Sequence, residues 1–332
     1  MKEPERGKEI LYLTRQEVID IGLTKKDILE LVRAALTEHG NKRCEMPAKI
    51  GIHPLRDTLM HAMPAWVPAR QACGIKWAEC FPDNYEKYGL PQTSGLMVLN
   101  SPETGWPICI LDAIWVTAKR TPAVTALACE SLARKDTAVV GIAGAGVQGR
   151  EHVLVLPEVL PKLKKIKLYD KFPEVTRKLI ADLQPEVPGV ELVEVPGFEE
   201  LVRGSLVVVT GTAILMAPDP QIRDEWVEPG AFLAPVDFDS LWEWATFSRA
   251  DKFLVDSLDE MKYFMTVGYL PHGLPPLHAE IGEVVAGLKP GRERDDELII
   301  DMNIGMGVED VVVGREIYRR AVASGAGTIL PL

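Results

Sequence analysis

The chain has 332 residues, 47% hydrophobic and 26% charged, an ordinary globular balance with length enough for two domains. A net charge of −11 excludes the basic surface that nucleic-acid binding requires, and no apolar run approaches the ~20 residues of a membrane span. The polar start Met1-Lys2-Glu3-Pro4-Glu5-Arg6 shows no signal peptide, and five scattered cysteines without metal spacing predict a reduced, cytoplasmic protein with no metal site.

Residues 10–13 read as a first strand. Thr14 then caps a helix with Glu17 as its capping-box partner. A second helix is predicted over 24–38, with Ile28, Leu31, Val32, Ala35 and Leu36 on one face. From residue 48 to 111 the pattern changes to short strands, at 49–52, 58–62, 72–80, 94–100 and 106–111, separated by turn residues. They predict an antiparallel sheet or half-barrel. Residues 121–133 form a connector rich in Ala and Leu, predicted as a helix.

The most informative stretch follows. Val139-Val140-Gly141-Ile142-Ala143 is a wholly apolar strand, succeeded by Gly144-Ala145-Gly146-Val147-Gln148-Gly149 and a helix-forming segment. A second strand, Ile166-Lys167-Leu168-Tyr169, ends in Asp170, 24 residues after Gly146. This is a G-x-G-x-x-G dinucleotide fingerprint in strand–turn–helix–strand–acid context. Gly144 permits the tight turn, Gly146 lets the backbone approach a pyrophosphate, and Gly149 brings the helix close to the sheet. The first helical amides, at Val147 and Gln148, face the phosphates. Asp170 is placed for the ribose hydroxyls and favours NAD(H), since a carboxylate repels a 2′-phosphate; Lys171 beside it partly offsets that and leaves NADP possible. Thr121, Thr210 and Thr212 complete the expected cofactor contacts. The competing readings are a turn that binds nothing and a methyltransferase site, which usually has an acid where Ile142 and Ala143 stand.

Further strands are predicted at 190–195, 205–210, 231–236, 252–255 and 297–301, alternating with helices. Pro157 and Pro161 shorten or kink the helix after Gly149. The predicted fold class is α/β: a doubly wound Rossmann-type parallel sheet plus a smaller α+β substrate-binding and dimerisation domain. A last helix over 308–323 returns to the N-terminal part. The domains are therefore expected at 1–121 with 309–332, and at 122–308.

Three cations stand in apolar or turn contexts: Lys49, Lys76 and Arg120. Singly, each reads as a surface charge or structural ion pair. Beside a nucleotide site they suggest a pocket for a carboxylate. Asp237 and Asp239 follow the strand at 231–236, where a doubly wound sheet places ligands; either can move a proton, or both can cap a helix. His272 and His278 read as structural. Trp66, Trp77 and Trp242 read as packing, and Cys73 and Cys80 as buried thiols. The aromatic segments at 77–88 and 238–247 suit a side-chain pocket or packing equally.

The chain resembles the ornithine cyclodeaminase/μ-crystallin family over nearly its whole length. The resemblance is carried by Met46-Pro47-Ala48-Lys49, Gly74-Ile75-Lys76, Leu90-Pro91-Gln92-Thr93-Ser94-Gly95, Arg120-Thr121-Pro122-Ala123-Val124-Thr125-Ala126, Gly144 to Gly149, Trp226-Val227-Glu228-Pro229-Gly230-Ala231 and Gly282-Glu283-Val284-Val285-Ala286-Gly287. It implies carboxylate binding by an arginine at the position of Lys49, a lysine at Lys76 and an arginine at Arg120. Lys49 keeps the charge of that arginine but loses its fork. It also implies Asp239 as the catalytic aspartate, Lys76 in a catalytic as well as a binding role, a homodimer through the N-terminal domain and last helix, and active sites at the interdomain cleft. Ornithine cyclodeaminases carry a glutamate for the distal amine where His61 falls here. That departure favours an NAD(H)-dependent amino acid dehydrogenase or imine reductase acting on a small amino or imino acid. Ornithine cyclodeamination and a non-catalytic, μ-crystallin-like ligand-binding protein are the alternatives.

Overall fold

The computed structural model describes residues 3–332. They fall into two compact units, the chain up to Arg120 together with Gly305–Leu332, and Thr121–Ile304.

In the first unit β1 (Glu9–Leu13) leads into α1 (Arg15–Asp20), where Thr14 and Glu17 form the predicted reciprocal cap. Thr24 and Asp27 cap α2 (Lys25–Gly40) in the same way, and Ile28, Val32, Ala35 and Leu36 are buried along one face. There follow β2 (Ile50–Ile52), β3 (Leu59–Val67), β4 (Ala72–Cys80), α3 (Asn84–Tyr88), β5 (Thr93–Asn100), β6 (Pro107–Asp112) and α4 (Ile114–Leu132). Lys49 therefore precedes a strand rather than opening one. Arg120 lies inside a helix, not in a turn. Thr121-Pro122 imitates a helix start, because Pro is favoured at the first helical position, yet α4 carries Pro122 in its interior.

The second unit contains β7 (Val139–Ala143), α5 (Val147–Val155), β8 (Lys165–Tyr169), α6 (Pro173–Leu183), β9 (Glu191–Glu194), α7 (Phe198–Val202), β10 (Val207–Thr210) and β11 (Phe232–Pro235). It continues through α8 (Trp244–Ser248), β12 (Lys252–Val255), α9 (Leu258–Thr266), β13 (Leu277–Glu280), α10 (Ile281–Val285) and β14 (Ile299–Met302). The chain then re-enters the first unit as α11 (Gly307–Ser324) and β15 (Thr328–Pro331).

The first sheet runs β15-β1-β6-β5-β4-β3-β2. Its pairings are antiparallel except β1 with β6, so it is mixed rather than purely antiparallel. Helix α11 packs against β3, β4, β5 and α2, burying alternate residues of β3 and β4. The second sheet runs β13-β12-β14-β11-β10-β7-β8-β9 with every pairing parallel, the doubly wound arrangement the apolar strands demand. Strands β13 and β15 lack the long apolar runs that mark the others, and the sequence does not announce them. Among the described residues no helix is long and apolar enough to cross a membrane.

Candidate functional site

The first unit gathers the predicted cations. Alternation along β4 turns Lys76 to the buried face, where it is 1% exposed. Lys49 and Arg120 are equally enclosed. None of these side chains reaches bulk water, so each must be met from within. Lys76 Nζ lies 2.6 Å from an Asp310 carboxylate oxygen and donates to the Thr117 hydroxyl at 3.3 Å. The Arg120 Nε donates to the other Asp310 oxygen at 3.2 Å, and its Nη1 pairs with Glu309 at 3.4 Å. Lys49 Nζ donates to the Gly305 carbonyl at 3.1 Å. Lys76 and Arg120 thus share the Asp310 carboxylate, Arg120 also meets Glu309, and Lys49 meets a carbonyl.

Burial still outweighs the attraction of Asp310. It pushes the Lys76 ammonium down to about 8, with Arg120 and Lys49 acting in the same direction. An incoming anion would reverse that depression. His61 joins the cluster from β3, its Nε2 3.5 Å from His53 Nε2. Burial, then Lys49, His53 and Lys76, push it down to about 3, so it stands as a neutral imidazole.

Sequence reasoning missed the partners: Thr117, Gly305, Glu309 and Asp310. Gly305 has φ +95°, and a Cβ on it would strike the Arg120 guanidinium. One glycine thus admits Arg120 and offers its carbonyl to Lys49. The available signal was Glu309-Asp310 in the first turn of a helix, directly ahead of the apolar run Val311-Val312-Val313.

In the second unit Gly144 adopts φ +94°, and a Cβ on Gly149 would collide with the Gly144 carbonyl, so helix and strand meet as the fingerprint requires. A Cβ on Gly146 would meet nothing: the turn opens onto free space at the start of α5. That cradle, with the unpaired amides of a helix start beside it, fits a dinucleotide pyrophosphate. Asp170 accepts from Ala145 N at 2.8 Å and from Phe172 N at 3.0 Å, and a carboxylate retains further lone pairs for hydroxyls. Lys171 lies over the Phe172 ring at 4.7 Å. His152 bonds Gln148 O and the Thr125 hydroxyl, fastening α5 to α4.

The two aspartates after β11 separate cleanly. Asp237 accepts from the Thr210 hydroxyl at 2.5 Å, and from Thr212 through its amide at 3.0 Å and its hydroxyl at 2.6 Å. Thr210 also receives Trp242 Nε1 at 3.2 Å and is wholly buried. Its role is therefore structural, not the cofactor contact expected of it. Thr212 is exposed, with its hydroxyl already given to Asp237; Thr121 is buried at the start of the second unit.

Asp239 is 2% exposed with neither carboxylate oxygen hydrogen-bonded. Burial raises its pKa, its own backbone amide and then His272 pulling back and Asp237 adding to the rise. No helix begins there, so the capping alternative fails for both acids; α8 starts only at Trp244. Between them Phe238 takes φ +60°, a left-handed conformation costly for a bulky side chain. Its ring is clamped edge-on by Phe264 at 4.8 Å and Tyr269 at 6.0 Å.

Other expectations resolve individually. His278 bonds Pro290 O, a structural role, and His272 stacks on Trp244 at 5.2 Å. Trp242 is core, but Trp77 is 37% exposed on the open sheet face, and Tyr85 and Tyr88 are exposed rather than enclosing anything. Cys73 and Cys80 are half-buried, not buried. The described residues contain no His/Cys/Asp/Glu group able to hold a metal.

A family model described as the ornithine cyclodeaminase/mu-crystallin family matches residues 9–325. The chain belongs to this family. An alanine dehydrogenase of Archaeoglobus fulgidus is 31% identical over 96% of this chain and 98% of its own. The solved Delta(1)-pyrroline-2-carboxylate reductase of Thermococcus litoralis, in complex with NADH and L-proline, superposes with TM-score 0.85 at 28% identity, over 96% of this chain and 99% of the other. An archaeal alanine dehydrogenase dimer with bound NAD gives TM-score 0.84 at 30% identity, over 97% and 99%. Family membership makes the two units, each with its own chemistry, the parts of one enzyme scaffold.

Proposed function

We propose that the chain is an NAD(H)-dependent enzyme that moves a hydride at the Cα–N bond of an amino acid or its imine. The observation that carries this reading is the desolvated cation cluster. Lys49, Lys76 and Arg120 are buried in one unit, and Lys76 is held near 8 despite Asp310, an arrangement that suits a site receiving a substrate carboxylate. Clamping that carboxylate fixes the orientation of the neighbouring Cα. The coenzyme, when bound, accepts or donates the hydride. The backbone at Gly144, Gly146, Val147, Gln148 and Gly149 would hold its pyrophosphate, and Asp170 its adenosine ribose, favouring NAD over NADP.

Asp239 then exchanges a proton with the substrate nitrogen. An acid with two free oxygens and a raised pKa suits both directions, accepting the proton during oxidation and returning it during reduction. Asp237 holds the turn that presents it. Cyclodeamination of ornithine is disfavoured, because a neutral His61 close to Lys49 and Lys76 offers no anion for a distal ammonium.

We also propose a homodimer in a reducing cytoplasm. All five cysteines are free thiols. On the sheet face opposite α11, Ile50, Ile52, Trp77 and Leu96 are exposed, with Trp77 and Leu96 side by side in the β4–β5 register. A second copy of the chain would cover this apolar face.

The test is a panel of amino acids with NAD, and of cyclic and acyclic imines with NADH, followed by absorbance. Steady coenzyme turnover with one class supports the reading and assigns the direction. Ammonia release from ornithine without an absorbance change would overturn it in favour of a cyclodeaminase.

A further inference from the structure

The proton exchange proposed for Asp239 leaves that acid with a further need. Each oxidation loads one proton onto its carboxylate and each reduction removes one, so it must trade a proton with the medium once per turnover. Asp239 is buried, and no neighbouring side chain is bonded to either oxygen. Two titratable side chains act on its charge, Asp237 and His272. Asp237 is wholly buried and spent on Thr210 and Thr212. His272 is exposed.

Local chemistry fixes where His272 stands. Leu270-Pro271-His272-Gly273 is a β-turn, closed by the Gly273 amide donating to the Leu270 carbonyl at 2.9 Å. Pro271 presets the backbone at the second position, and Gly273 at the fourth leaves the turn with φ +76°. Leu270 itself takes φ +54°, a strained conformation held because Tyr269 and Leu270 are both buried. The histidine is therefore carried on a rigid tip and not on a loose loop.

Two aromatic contacts tie that tip to the segment bearing Asp239. Tyr269 meets the ring of Phe238, the residue before Asp239, at 6.0 Å. His272 stacks on Trp244, further along the same segment, at 5.2 Å and 28°. Trp244 also stacks on buried Phe247 at 5.6 Å, so the imidazole rests on a platform fixed in the core.

We infer that His272 is the proton-exchange residue of this site, passing protons between Asp239 and water and acting through Asp239 rather than on the substrate. This rests on the hydride-transfer reading above. During oxidation the proton leaving the substrate nitrogen bonds to an Asp239 oxygen. That O–H bond then breaks as an imidazole nitrogen takes the proton, and the imidazolium releases it to a solvent base. Reduction runs the same transfers in reverse, and no electrons move in the relay. Imidazole suits the task because it takes up and gives back protons close to neutral pH. As no side chain is bonded to Asp239 at rest, the imidazole reaches it through a bridging water or by rotating about its side-chain torsions. The acid thereby stays dry while a separate group meets the solvent.

The test uses the full chain and the substrate that turns over NAD(H) fastest in the panel above. H272A and H272F are compared with the unaltered protein; phenylalanine keeps a ring against Trp244 but carries no proton. Both variants should lose about tenfold in kcat at low buffer concentration, with KM nearly unchanged. Both should show a larger solvent deuterium isotope effect on kcat and regain rate as imidazole buffer is raised, to which the unaltered protein is indifferent. Full activity in H272F beside a loss in H272A makes the ring a packing group and overturns the inference. A loss that imidazole does not restore, or two variants as active as the unaltered protein, overturns it equally. Absence of NAD(H) turnover by the unaltered protein with every member of the panel overturns the hydride-transfer reading, and this inference with it.

Discussion

In the first unit the buried charges are met by partners drawn from the far end of the chain: Asp310 for Lys76 and Arg120, the Gly305 carbonyl for Lys49. In the second unit Asp239 is buried with nothing to bond, while its neighbour Asp237 is saturated by Thr210 and Thr212. The cations are parts of a structure that would fail without their partners. Asp239 is buried without such support, which agrees with the proton transfer proposed for it. Substitutions should therefore separate stability from activity in opposite senses at the two places.

The largest effect is expected at Asp239. Asp239→Asn should lower kcat by about 10²–10⁴-fold while leaving the melting temperature unchanged or higher, since a neutral amide escapes the desolvation cost. A melting temperature that falls with activity would make Asp239 a structural acid. Asp310→Ala comes next. It takes the carboxylate from Lys76 and one of two from Arg120 in a dry site and should cost about 3–5 kcal/mol in urea unfolding, part of it recovered when Lys76→Met is added. A single-variant loss below about 1 kcal/mol would mean that water reaches the cluster.

A pH profile sharpens the contrast further. Lys76 keeps its proton below about 8, so affinity for a carboxylate should be full there and fall as pH rises through 8. The acid limb of kcat/KM should lie above the ordinary carboxylate range, because Asp239 accepts a proton only once it has lost its own. Lys76→Arg should retain the charge and abolish the alkaline limb; a limb that persists belongs to another group. The smallest effect is at Thr210, where Thr210→Val removes the bond to Asp237 and the acceptor of Trp242 Nε1 and should cost about 1–3 kcal/mol with kcat little changed.

Much of this was legible in the sequence for a definite reason. The fingerprint is local, its glycines, strand and acid lying within one βαβ unit, so Gly144, Gly149 and Asp170 could be named together. The capping boxes at Thr14 and Thr24 obey the same local rule. The apolar and aromatic neighbours Ile75 and Trp77 also marked Lys76 as a cation in need of a partner. What could not be read was pairing over distance. Nothing near Arg120 announces Asp310, and Thr121-Pro122 disguised the helix that carries it. The residues alone left Asp237 and Asp239 even, and only the family resemblance ranked Asp239 first; the bonds that separate them come from Thr210 and Thr212 and from a left-handed Phe238 that no propensity predicts.

The hydrogen bonds from Lys49 to Gly305 and from Arg120 to Asp310 span 256 and 190 residues. During synthesis the whole nucleotide-binding unit emerges before those partners exist. Until the final helix leaves the ribosome and returns, Lys49, Lys76 and Arg120 stand without these partners. The buried charge cluster is therefore completed last, once the end of the chain has packed back onto its beginning.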